Sequence, residues 1–150
     1  MLFSAFSQHV SVSLLIAAFS LSSFAPSSAY SVDNQDRRVI GKWRLTAALD
    51  SSEITSLDER EAEQLVGQVM TITDDRVQFG KRKCLPPDLD AERVEPQLYV
   101  REKAHASASK LGLPNPVTVV NLGCTVAFVK SRNHLVIHWG GWFFNARRTP

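Results

Sequence analysis

The sequence predicts one β-rich domain with a single short helix, its antiparallel strands wound into a small barrel or a strongly curled sheet. Three observations predict this. Residues 39–49 alternate, with Gly41, Trp43, Leu45, Ala47 and Leu49 set against Lys42, Arg44, Thr46 and Ala48, the period of a half-buried strand. The last third holds two β-rich runs, 117–129 and 134–144, separated by the polar stretch 130–133. No repeated βα alternation occurs, which disfavours a parallel doubly wound sheet. With so little helix available to cover sheet edges, curling or closing the sheet is the way to remove them.

The chain has 150 residues and a net charge of +2, room for one domain and too little charge to argue for nucleic acid. Every Lys, Arg, Asp and Glu lies from Asp33 onward. Within the charge-free segment, residues 10–24 form a short apolar stretch interrupted by serines. It is too short and polar for a span of about 20 apolar residues and fits the core of a secretory signal. Ser27-Ser28-Ala29 supplies small residues before Tyr30, so residues 1–29 are expected to be a signal peptide and 30–38 a flexible leader, with the domain occupying 39–150. Positions 2–9 lack Lys and Arg, and an uncleaved anchor is the alternative. No cysteine lies near the cleavage point, which argues against a lipoprotein anchor. The expected location is the periplasm or the exterior, with no membrane span after processing.

After the first strand, Ser56-Leu57-Asp58-Glu59 has the form of a capping box, with Ser56 as N-cap and Glu59 as its partner. Leu57, Ala62, Leu65 and Val66 can share one helical face, and Gly67 suits the position after the helix. Residues 69–73 and 77–79 flank Asp74-Asp75-Arg76 as a hairpin. Residues 97–103 alternate and are expected to form a further strand. Residues 104–110 are small and polar, a loop or weak helix ending at Gly112. Gly140-Gly141 marks a bulge or sharp bend in the last run. By alternation, Trp142 and Phe144 share one face and Phe143 takes the other.

Cys84 and Cys124 are the two cysteines. In an exported chain, an even count favours one disulfide; two unpaired buried thiols are the alternative. Neither belongs to a C-x-x-C pair.

Gly41-Lys42-Trp43 looks like the G-x-W signature of lipocalin-like barrels, in which the Trp packs across the closed end. A wider series of landmarks resembles an uncharacterised family of small exported proteobacterial proteins. It comprises Trp43-Arg44, Ile54-Thr55-Ser56-Leu57, Glu61-Ala62, Leu65-Val66-Gly67, Phe79, Cys84 with Pro87, Leu111-Gly112-Leu113, Cys124, Leu135-Val136, Trp139 and the G-x-F-F motif Gly141-Trp142-Phe143-Phe144. The chain departs from that family at Trp142, a position usually smaller. The resemblance implies export, one disulfide and a compact β-rich domain, and it carries over no catalytic residue.

Local chemistry is sparse. His134 and His138 would stand about 13 Å apart along a strand, too far to share one zinc. There is no G-x-S-x-G elbow and no Ser/His/Asp pattern. Glu59 and Glu63 are four apart on a solvated helix face. No metal, cofactor or catalytic residue is therefore assigned. Charge is unevenly spread: residues 50–63 hold six acids and one base, whereas 101–150 hold seven bases and one acid. The candidate binding residues are Arg101, Lys103, Lys130, Arg132, Arg147 and Arg148, together with Trp142 as an aromatic anchor. The expected function is a non-enzymatic binding or interaction module of the cell envelope, its partner an envelope protein or an anionic envelope component. An envelope enzyme of hydrolase type, with a site assembled from scattered residues, is the alternative.

Overall fold

The computed structural model describes residues 36–150. The expected signal segment and the first residues of the leader lie outside them. Nine strands form one antiparallel sheet: β1 (Gly41–Ser51), β2 (Val69–Ile72), β3 (Val77–Phe79), β4 (Arg82–Cys84), β5 (Ala91–Val94), β6 (Val117–Asn121), β7 (Val126–Ser131), β8 (His134–Trp139) and β9 (Trp142–Arg148). Two helices accompany them, α1 (Glu59–Leu65) and α2 (Pro96–Ala104). The order across the sheet is β4-β3-β2-β1-β9-β8-β7-β6-β5. Each neighbour is a hairpin partner or follows next in the chain except at β1–β9, where the first strand meets the last. The sheet curls into a half-barrel with β4 and β5 as its edges. Both edges carry exposed charge, Arg82 and Lys83 on one and Glu92 and Arg93 on the other, which discourages strand addition.

The curl begins in β1. Its first residues pair with β2, while Trp43–Ser51 pair with β9 through register shifts between Leu45 and Ala47 and between Ala48 and Asp50. Such bulges bend a strand and change which residues face inward. Trp43 and Leu45 point into the concave core as the alternation requires. Beyond the first shift Ala48 packs on that core, and Leu49 packs on the opposite face. The strict alternation expected through Leu49 therefore ends at the bulge.

Two apolar clusters sandwich β6–β9. The concave one is filled by side chains, with Trp43, Met70, Ile72, Leu135, Ile137 and Phe144 fully buried. The convex one joins Val119, Phe128, Val136 and Phe143 to Val100 of α2 and Leu111. Phe143 and Phe144 divide between the faces as alternation predicts, and Trp142 packs against the concave cluster.

One end is closed by Trp43 and Arg148. The Trp43 indole donates to the Val39 carbonyl at 2.6 Å, and the Arg148 guanidinium lies 4.2 Å over its ring. That guanidinium also donates to the carbonyls of Ile40, Arg38 and Arg132. Gly41 has φ +146°, and a Cβ there would collide with Arg148, which accounts for glycine two residues before the Trp. The last leader residues are ordered as well. Asp36 is buried, donates its backbone N–H to Leu89 and caps a 3-10 turn at Arg37–Val39.

The gap between the edges is occupied by residues 85–90. Leu89 is buried in the concave core and hydrogen-bonds through its backbone to Asp36 and Asn121. The disulfide Cys84–Cys124, with Cα atoms 5.9 Å apart, ties the end of β4 to the turn after β6. It closes a loop of sequence separation 40, for which chain entropy gives about 4 kcal/mol of stabilisation.

Several boundaries differ from the sequence expectation. Residues 97–103 are helical, because Glu95 caps the first N–H groups and Pro96 occupies the first helical turn. The capping box is Asp58 with Glu61, two residues later than expected. Residues 52–57 first cross the β8–β9 turn through bends at 53–54 and 56–57, with the Ser52 and Ser56 N–H groups donating to Gly141 and Gly140. The run 117–129 is broken by a turn at 122–125, where the Asn121 side chain accepts from the Gly123 N–H. At Gly140-Gly141 the chain makes the sharp bend of the two alternatives, a two-residue hairpin turn between β8 and β9. Both residues have positive φ, as a type I′ two-residue turn requires. A Cβ on Gly141 would also meet the Thr55 backbone at 2.7 Å.

Trp43→Ala is expected to lower unfolding free energy by about 3–5 kcal/mol, measured by urea denaturation, because it empties the closed end. A loss below about 1 kcal/mol would show that this end is not part of the core.

Candidate functional site

A concavity opens between α2, the β8–β9 turn and the disulfide. It is a cleft of about 650 Å³, within the roughly 300–1,000 Å³ typical of small-molecule sites. Its apolar floor is formed by Tyr99, Ala104 and Val126, backed by the buried rings of Phe128 and Phe143, with Tyr99 of α2 edge-on against Phe128 at 5.9 Å. Trp139, itself edge-on to Phe79 at 5.4 Å, the Gly140-Gly141 turn and the disulfide complete the walls. Arg82 and Lys83 reach it from β4 and Lys103 from α2, and no Asp or Glu lines it. None of these three cations is ion-paired among the described residues.

Each part is positioned by local sequence. Glu95 and Pro96 start α2, and His105 ends it in the left-handed region. The Gln97 side chain accepts from the Ala108 N–H at 2.6 Å, folding the following loop back on the helix. Val100 anchors the inner face of α2, which sets Tyr99 and Lys103 at the cleft. The disulfide brings β4, and with it Arg82 and Lys83, beside Cys124 and Thr125.

Two titratable groups in the cleft are shifted. Burial, with a smaller contribution from the negative charge of Glu92, holds the Tyr99 phenol above its ordinary value, so it stays protonated. Its hydroxyl makes no hydrogen bond among the described residues. His138 stacks on Phe143 with ring centres 4.5 Å apart, and its Nε2 lies 3.2 Å from Ser52 Oγ. Burial pushes its pKa below 6.5 and favours the neutral ring.

The sequence-predicted residues do not form one face. Lys103 lines the main cleft, whereas Arg101 borders a shallow depression with Ser52, Glu53 and His105. Lys130 donates to the Leu111 carbonyl at 3.2 Å and steadies the 104–113 loop. Arg132 is exposed in the β7–β8 turn, and Arg147 is exposed near the end of β9, opposite Arg44 and His134. Arg148 is occupied by the carbonyls around Trp43. Trp142 is half-buried and donates its indole N–H to Leu57 at 3.0 Å, so it holds the strap over the hairpin. Among the cleft residues outside the candidate binding set are Arg82 and Lys83, part of the basic run 81–83 that the charge reading adds to the basic C-terminal region, and Tyr99. The signal for the first two was the basic run preceding Cys84 and the pairing of that cysteine with Cys124. Among the described residues, no three His, Cys, Asp or Glu side chains gather as metal ligands. No helix among them is long and apolar enough to cross a membrane.

The fold and cleft together define a disulfide-tied half-barrel with a cationic, aromatic-walled surface site. No family model, curated protein or solved structure matches the chain.

The His138 shift sets the sign of a pH effect. Its folded pKa is depressed, so the unfolded chain binds the proton first as pH falls through 6.5. Stability from this group is present above that value, is lost as pH falls through it, and stops falling below the folded pKa. An NMR titration should place the His138 midpoint below 6.5, and His138→Gln should flatten this part of the pH–stability curve. A midpoint at or above 6.5 would contradict the burial described here.

Proposed function

We propose that the protein is a non-catalytic binding module of the cell envelope, exported to the periplasm or beyond, that captures an anionic envelope component or an acidic envelope protein. The observation carrying this reading is the cleft itself, where three cations without ion-pair partners among the described residues border an apolar floor and no carboxylate intervenes. Cations held at the rim of an apolar surface attract anions at long range and leave contact area to the aromatics. The disulfide supports export, since such bridges persist in oxidising compartments. The charge-free N-terminal segment supports it from the sequence side.

One contact favours a second reading, an envelope hydrolase. Ser52 and His138 are within hydrogen-bond reach, and a neutral histidine is the form that could accept a serine proton. No carboxylate hydrogen-bonds the His138 ring among the described residues, so the group that usually orients such a base is missing from the pair. A fluorophosphonate probe that labels Ser52 would favour the hydrolase.

The binding reading is tested by capture from envelope extracts on the immobilised domain. Capture should weaken as salt rises, because exposed attractions are screened. It should be lost in the triple variant Arg82→Glu, Lys83→Glu, Lys103→Glu, with the melting temperature nearly unchanged. Capture indifferent to both salt and the three substitutions would overturn the assignment of binding to this cleft.

A further inference from the structure

We infer that the cleft takes a small amphipathic anion, an acidic head group on an apolar acyl or aryl body. This rests on the binding reading above and specifies its ligand. The charges and the apolar surface are arranged for two different parts of one molecule. Arg82 and Lys83 stand on the β4 edge and Lys103 on α2, so the cations approach from two separate elements. Between them lies the half-buried apolar floor of Tyr99, Ala104 and Val126, backed by the buried rings of Phe128, Phe143 and Trp139. A fully hydrated inorganic anion would use the cations and leave that floor bare. A neutral apolar molecule would cover the floor and leave the cations without a partner. An amphiphile satisfies both, and the cleft volume suits a single small molecule.

Two further features fit the same ligand. The Tyr99 phenol makes no hydrogen bond among the described residues and offers a donor beside Lys103 at the cleft wall. Beyond Tyr99 and Lys103 the surface changes sign, and the adjoining depression is bordered by Asp90 and Glu92. An acidic head is therefore attracted to one side of the Tyr99–Lys103 boundary and repelled from the other. That fixes the head near the cations and directs the apolar body along the floor. The concave interior does not compete, because its side chains fill it.

The probe is 8-anilinonaphthalene-1-sulfonate, a fluorescent amphipathic anion, titrated into the disulfide-intact protein at neutral pH. Saturable one-to-one binding is expected, displaced by dodecanoate and by dodecyl phosphate but not by dodecanol. Affinity should fall at least tenfold in Arg82→Glu/Lys83→Glu/Lys103→Glu and to a lesser degree in Lys103→Gln. Lys42→Glu, on exposed β1 surface away from the cleft, should bind like the parent. Circular dichroism melts confirm that each variant is folded. Equal displacement by dodecanol, unchanged affinity in the triple variant, or no saturable binding would overturn the inference. If envelope capture remains salt-sensitive and dependent on the three cations while these amphiphiles fail to bind, only the ligand class is wrong. If capture fails too, the binding reading falls with it.

Discussion

The disulfide between Cys84 and Cys124 is the constraint on which the shape of this molecule depends. A nine-stranded antiparallel sheet that does not close leaves two edges and a gap between them. Here the edge strand β4 has only three residues and pairs with a three-residue neighbour, too little ladder to hold a curled position alone. Bonding its last residue to the turn after β6 fixes the curl across the open side. The same bond brings the basic run of β4 to the convex face, where α2 supplies Lys103 and Tyr99. One covalent link thus holds the half-barrel and assembles the cleft.

The opposite demand, sealing the half-barrel, is met without covalent chemistry. Arg148 covers Trp43 and saturates three carbonyls, so the first and last strands are joined by a side chain as well as by their ladder. This sealed end lies at the start of β1 and the end of β9, whereas the Gly140-Gly141 wall of the cleft lies at the start of β9. The sealed end and the cleft are therefore separated along one strand. The strap at 52–57 mediates between them. It lies on the Gly140-Gly141 turn, is held by Trp142, and carries Ser52 to His138.

Much of the fold was legible because it rests on local pattern. The alternation through Trp43 and Leu45, the 74–76 hairpin, the face-splitting of Phe143 and Phe144 and the two cysteines all follow from residue order. What misled was a short alternation with a stronger competing signal. In 97–103 the period-2 pattern yields to Glu95 and Pro96, which begin a helix just upstream. In β1 the pattern is true until a bulge shifts it. The strand break at 122–125 was carried by Asn121 and Gly123 inside an otherwise β-rich run. For the site, Lys103 could be named from charge alone. Arg82 and Lys83 become neighbours of Lys103 through tertiary curl, which no linear charge count records. Arg148 and Trp142, read from sequence as candidate binding residues, are held by backbone carbonyls that only the folded chain brings near.

The most direct measurement is amide hydrogen exchange on the parent and on a Cys84→Ser/Cys124→Ser double variant under conditions where both are folded. If the disulfide holds the curl at its open edge, protection should fall selectively in residues 77–90 and in the turn at 122–125. It should persist in β1, β8 and β9 around Trp43 and Phe144. Protection unchanged at β3 and β4, or lost uniformly across the sheet, would contradict the assignment of the open edge to this bond.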